Sequence, residues 1–95
     1  MIIAALSIFP VGESTSLSKY VKESLKALDE TGLKHESSAM ATIIEASNLD
    51  QLFSAVKKAH EAQVNLGAKR IYMVLTVDDR KDREATIGSK MKAIS

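Results

Sequence analysis

The first ten residues limit the folds open to this chain more than any other segment. Residues 1–9 are apolar apart from Ser7, and Pro10 follows them directly. A continuous apolar run of this length predicts a strand that is covered on both faces. Proline has no backbone N–H to donate, so it marks the end of the strand. The chain must therefore supply neighbouring strands and cover for both faces.

Two amphipathic helices are predicted from apolar residues at helical spacing, one over 17–31 and one from Asn48 to about residue 66. Gly32 and Gly67 follow them, and glycine suits the positive φ of the residue after a helix. The segment at 12–16, GESTS, has the composition of a turn and helix cap. The apolar stripe of the second helix is predicted to comprise Leu49, Leu52, Phe53, Val56, Ala59 and Val64.

Three further strands are predicted, at 34–38, 40–46 and 69–78. The order strand, helix, strand, strand, helix, strand is that of the ferredoxin-like βαββαβ sandwich, an α+β fold. Its four-stranded antiparallel sheet has the first and third strands in the middle and two helices on one face. Thr86 is suited to cap a short C-terminal helix, so residues 1–95 are expected to form a single ferredoxin-like domain.

The sheet face without helices is apolar along the first strand, because Ile3, Ala5 and Phe9 alternate with the residues that face the helices. At about 25 cal/mol per Å², leaving this face in water forfeits several kcal/mol. We therefore expect a second copy of the chain to cover it, in a homodimer or homotetramer formed through the sheet face.

Composition excludes several classes of function. The formal net charge is +1, which gives no strong field for nucleic acid, and the third strand lacks the aromatic residues of an RNA-recognition module. There is no cysteine for a disulfide, a thiol nucleophile or a thiolate zinc site. His35 and His60 form no metal-binding motif, and the carboxylates at 78–82 do not fit a calcium loop. No metal, cofactor or nucleic-acid partner is expected.

The N-terminal apolar run is too short to span a membrane and has no basic region before it. No membrane partner is expected, and the expected location is the cytoplasm.

Polar residues interrupt the otherwise apolar strands, and a buried polar group without a partner costs about 1 to 3 kcal/mol. The residues are Ser7, Thr42, Glu45, Tyr72, Thr76 and Asp78. In one interpretation they bond to each other or across a subunit interface. In the other they line a small polar pocket on the helix-free face, where the carboxylates bind a cation or amino groups.

Several segments resemble the UPF0045 or thiamine-binding protein family. They are FPVG at 9–12, SLSKYV at 16–21, MATIIEA at 40–46, AVKKAHEA at 55–62 and GAKRIYMVLTVDDRKD at 67–82. The resemblance implies a ferredoxin-like fold and dimers of dimers whose sheets meet face to face. It also implies non-catalytic binding of thiamine or its hydroxymethylpyrimidine part, with sites near subunit interfaces.

Within this resemblance, the family's Thr-x-x-Glu pattern falls on Thr42 and Glu45, which are expected to meet an aminopyrimidine. Phe9 is the candidate for ring stacking. Strand parity adds the remaining candidates, Ser7, Tyr72, Thr76 and Asp78. A structural or regulatory oligomer is the alternative, and a small enzyme that uses His35 or His60 for proton transfer is a more remote one.

Overall fold

The computed structural model describes residues 1–12 and 17–95. Its elements are β1 (Ile2–Pro10), α1 (Leu17–Thr31), β2 (His35–Ser37), β3 (Thr42–Ala46), α2 (Leu49–Asn65), β4 (Ile71–Asp79) and α3 (Ile87–Ile94). The predicted ferredoxin-like order and the C-terminal helix are confirmed. Most of the predicted turn and cap at 12–16 lies outside the described residues.

The four strands form one antiparallel sheet in the order β2-β3-β1-β4, so β1 and β3 lie in the middle as predicted. Strand β3 pairs with β1 only from Ile2 to Leu6, where Thr42 is the last partner. Strand β4 pairs with β1 along its whole length, up to Pro10. Beyond Leu6, therefore, β1 has a neighbouring strand on one side only.

The hydrophobic core lies between the sheet and the two long helices. Ile2, Ala4 and Leu6 of β1 are buried there, because alternate residues of a strand share one face. The other core residues come from β3 and the helices: Leu28, Ile44, Ala46, Leu52, Ala55, Val56 and Ala59. Helices α1 and α2 end as predicted, since Gly32 and Gly67 have φ of 76° and 97°.

The hairpin formed by β2 and β3 differs in detail from the prediction. Strand β3 begins at Thr42 instead of residue 40, because residues 38–41 close a tight turn. The backbone N–H of Ser38 donates to the carbonyl of Ala41 over 2.8 Å, and the hydroxyl of Ser38 donates to the same carbonyl over 2.7 Å. This turn shortens β2 to His35–Ser37.

The C-terminal helix α3 begins at a capping box. The hydroxyl of Thr86 accepts from the backbone N–H of Ser89, and the hydroxyl of Ser89 accepts from the backbone N–H of Thr86. These bonds satisfy N–H groups that a helix start leaves free. Among the described residues, no helix has both the length and the apolar character needed to cross a membrane.

Candidate functional site

Most of the predicted site residues share the helix-free face of the sheet. Cross-strand neighbours lie on the same face, so the register can be read directly. Ser7 pairs with Val74, Phe9 with Tyr72 and Ala5 with Thr76, while Ile3 lies between Glu45 and Asp78. The sheet therefore brings together Ser7, Phe9, Glu45, Tyr72, Thr76 and Asp78.

Thr42 lies on the opposite face, where it pairs with the core residue Leu6. Thr42 and Glu45 are three positions apart in one strand, and an odd separation directs two side chains to opposite faces. The expectation that both residues meet the same aminopyrimidine is therefore not met by the fold.

Glu45 anchors the C-terminal helix. Its carboxylate accepts a 2.5 Å hydrogen bond from the backbone N–H of Ile87, the first residue of α3. A carboxylate at a helix N-terminus is favoured both by the free N–H groups and by the helix dipole. Glu45 thus holds α3 over one end of the helix-free face.

Asp78 makes a second contact with α3. Lys90 donates to its carboxylate over 2.5 Å, and this bond lowers the pKa of Asp78 below the ordinary carboxyl value of 3.8. In the loop between β4 and α3, the guanidinium of Arg80 lowers the pKa of Asp82 to about 2. Both carboxylates are ionised at neutral pH, and both already have cationic partners within the chain.

We expect Glu45→Gln to loosen α3 and to leave the rest of the domain folded. A neutral amide is a weaker acceptor at a helix N-terminus, so the local stability of α3 should fall by about 1 kcal/mol. Hydrogen exchange measured at 88–94 should become about fivefold faster, since 1.4 kcal/mol corresponds to a factor of ten. The matched control is Glu36→Gln on β2, which should leave this exchange unchanged. Equal exchange in Glu45→Gln and the wild type would contradict the anchoring role.

The other end of the helix-free face is open. Phe9 and Tyr72 lie there with ring centroids 5.5 Å apart, and Tyr72 is 52% exposed. Between this aromatic pair and α3 is a shallow depression of about 280 Å³ with Thr76 and Lys90 in its lining. The face therefore offers a broad, mostly apolar surface rather than an enclosed pocket.

A more enclosed cavity of about 230 Å³ lies between α1 and the edge of the sheet where β1 has no pairing with β3. One side is the segment 6–9 of β1, which extends beyond its pairing with β3. The other walls are the inner side of α1 and the turn at 38–42, which comprises the tight turn together with Thr42, the first residue of β3. The cavity includes three predicted site residues in its lining, Ser7, Phe9 and Thr42. It exists because the late start of β3 leaves a gap between the sheet and α1.

Ser24 of α1 provides a buried polar group in the wall of this cavity. Its hydroxyl donates to the carbonyl of Ala59 over 2.7 Å. The side-chain amide of Gln63 donates to the Ser24 hydroxyl over 3.0 Å and to the carbonyl of Ile8 over 3.3 Å. This network joins α1, α2 and β1 next to the cavity.

Sequence reasoning missed Ser24 and Gln63 because it considered only the polar residues of the strands. A signal was nevertheless present, since Ser24 lies one helical turn from both Tyr20 and Leu28 and so interrupts the buried side of α1. Gln63 bears the same relation to Ala59 in α2. A polar residue within a buried helical stripe requires a partner.

The two histidines lie elsewhere. The ring of His35 is 2.7 Å from the carboxylate of Asp29 on α1, and His60 lies on α2. Neither histidine lines the cavity. Over residues 1–12 and 17–95, no group of three or more histidine, aspartate or glutamate side chains is arranged to hold a metal ion.

Both the sequence and the fold of this chain are similar to those of known proteins. The family model of the thiamine-binding protein matches residues 4–95. A UPF0045 protein of Methanothermobacter thermautotrophicus is 42% identical over 95 residues, covering 99% of this chain and 96% of the relative. A UPF0045 protein of Bacillus subtilis is 34% identical over 100 residues, covering 100% of this chain and 95% of the relative.

Two crystal structures show the same fold. A hypothetical protein of Methanocaldococcus jannaschii superposes with a TM-score of 0.88 and 41% identity, covering 98% of this chain and 94% of that one. A Thermotoga maritima protein described as a putative thiamine biosynthesis/salvage protein has a TM-score of 0.84 and 19% identity. That comparison covers 99% of this chain and 98% of the other, and at this identity it shows the fold alone.

Proposed function

Because this chain belongs to the thiamine-binding protein family, we propose that it binds thiamine, or the hydroxymethylpyrimidine part of thiamine, without catalysing a reaction. The observation that carries the proposal is the cavity between α1, β1 and the turn at 38–42. Apolar walls with a few well-placed polar groups are typical of small-molecule sites. We expect the protein to act in the cytoplasm.

The cavity suits one aromatic ring with small substituents. Val21, Leu25 and Leu28 of α1 provide an apolar wall, and Ser24 and Thr42 are residues with hydroxyl groups in the lining. We place the pyrimidine ring there and the thiazolium ring towards the exposed side chain of Met40. Glu45, on the opposite face of the sheet, then serves to hold α3 rather than to bind the ligand.

Binding and catalysis place different requirements on the lining of the cavity. Proton transfer requires a side chain that gains or loses a proton near the operating pH, such as histidine or a carboxylate. The described residues that line the cavity include no histidine, lysine, arginine, aspartate or glutamate. If the protein instead were an enzyme that uses His60, His60→Ala would abolish turnover, whereas a binding protein would retain its affinity.

The helix-free face supports association with a second copy of the chain. Tyr72 and Val74 remain exposed on this face, and α3 beside it presents Met91 and Ile94 at 58% and 79% exposure. Exposed apolar side chains in one region favour a protein interface. Phe9 belongs to the lining of the cavity and packs with Tyr72 on the open face, so the ligand would lie near the subunit interface.

A structural or regulatory oligomer without a thiamine ligand is the second candidate, and this apolar face favours it equally.

Calorimetric titration tests the binding proposal. The purified protein is titrated with thiamine, with hydroxymethylpyrimidine and with the thiazole half, while light scattering gives the number of subunits. We expect saturable binding of thiamine and hydroxymethylpyrimidine at about micromolar affinity, equivalent to about 8 kcal/mol. Absence of heat with a clean oligomer would contradict thiamine binding and favour the structural or regulatory function.

A further inference from the structure

In the polar network next to the cavity, the donor and the acceptor of each hydrogen bond can be assigned in only one way. Backbone carbonyls can only accept, so the carbonyl of Ala59 fixes the hydroxyl hydrogen of Ser24. The carbonyl of Ile8 likewise identifies the nitrogen of the Gln63 amide, whose second hydrogen goes to the Ser24 hydroxyl. All the side-chain hydrogens of the pair are therefore already used.

The network has unused hydrogen-bond acceptors but no unused donors. The Ser24 oxygen accepts one bond from Gln63 and has a second lone pair. The side-chain oxygen of Gln63 is buried and has no partner in the part of the chain that the structure describes. Gln63 is 0% exposed and Ser24 is 2% exposed, so bulk water does not satisfy these groups. Of these two acceptors, only the Ser24 oxygen belongs to a residue in the lining of the cavity, so it is the one next to a bound ring.

We propose that Ser24 is a specificity-determining residue of the cavity, whose hydroxyl oxygen accepts a hydrogen bond from an amino group on the bound ring and thereby disfavours rings that carry an oxo group there. Gln63 is the positioning residue, because its amide donates to the Ser24 oxygen, occupies one of the two lone pairs and leaves a single acceptor position for the ligand. The inference rests on the proposed function and adds the chemistry by which the site would recognise a ring.

The probes are thiamine and oxythiamine, which differ in an amino group and an oxo group at one position of the pyrimidine. The amino group donates two hydrogens, whereas the oxo oxygen only accepts and would face the acceptor oxygen of Ser24. We expect calorimetry to give about a hundredfold tighter binding of thiamine, equivalent to about 2.7 kcal/mol, because two buried acceptors that face each other both lack a donor.

Three variants separate the effect of the Ser24 hydroxyl on binding from the effect of the shape of the cavity. Ser24→Ala removes the acceptor, so the ratio of the two affinities should fall from about a hundredfold to within about threefold. Gln63→Met removes the amide that donates to Ser24 but leaves the bond from Ser24 to Ala59, so the Ser24 oxygen stays an acceptor and thiamine should remain the tighter ligand by about a hundredfold. Val21→Ala, the control, removes apolar contact from the same wall and should weaken both ligands about equally, leaving the ratio unchanged. Thermal melting confirms that each variant is folded.

The outcomes distinguish this inference from the function on which it rests. Equal binding of thiamine and oxythiamine by the wild type would overturn the inference and leave thiamine binding intact. A ratio that folded Ser24→Ala retains at the wild-type value would also overturn it. Failure of the wild type to bind either compound would overturn both the inference and the proposed function.

Discussion

Val21→Trp is expected to abolish thiamine binding while the fold and the proposed oligomer remain intact. Val21 lines the cavity from α1 and is only half-buried, so a larger side chain can fill the cavity without displacing the core. The ligand would lose its place against the apolar wall. We expect the affinity to fall by at least about a hundredfold, equivalent to about 2.7 kcal/mol, in calorimetric titration.

The matched control for this change is Lys22→Trp. Lys22 is the next residue of α1, it is exposed and it does not line the cavity. The same aromatic side chain at this position should leave the affinity within about twofold of the wild type. Full affinity in folded Val21→Trp would show that thiamine binds elsewhere and would contradict the proposed site.

Ala5→Glu is expected to separate the proposed oligomer into folded monomers. Ala5 lies on the helix-free face of β1 between Ile43 and Thr76, in the middle of the surface that we propose a second copy covers. In the monomer the new carboxylate reaches water, but in the oligomer it would be buried without a partner. Such burial costs about 3 to 5 kcal/mol, which raises the dissociation constant more than a hundredfold.

Light scattering and thermal melting together check this expectation. Ser54→Glu is the control, because Ser54 is exposed on α2 away from the sheet and the same charge there should leave the mass unchanged. An oligomer of wild-type mass in Ala5→Glu would contradict association through the sheet face. If Ala5→Glu does not fold, Val74→Lys tests the same face at a position that is already exposed.

The sequence predicts the architecture well because the strongest signals in it are periodic. The helical spacing in α1 depends on burial of one side of the helix, and the element order then limits the topology. The bounds of α1 agree with the prediction, and Asn48 caps α2 as its position suggests. Agreement is poorer at β2 and β3, because the turn at 38–41 depends on local bonds of Ser38 that no periodicity reveals.

The candidate site is less predictable because it depends on the pairing register of the strands and on where β1 lacks a neighbouring strand. The sequence suggests that Phe53 and Val64 belong to the buried stripe of α2, but they are 51% and 45% exposed. Gln63 is buried instead, since its amide satisfies the carbonyl of Ile8 where β1 has no neighbour on that side. The separation of Thr42 from Glu45 likewise follows from strand parity, which a motif written along the chain conceals.

A crystal structure of the protein with thiamine bound would locate the binding site directly. We expect density for the pyrimidine ring between α1 and the turn at 38–42, with its amino group within hydrogen-bond distance of the Ser24 hydroxyl. Density for thiamine against Phe9 and Tyr72 on the helix-free face, with the cavity empty, would contradict the proposed site and return it to the polar strand residues.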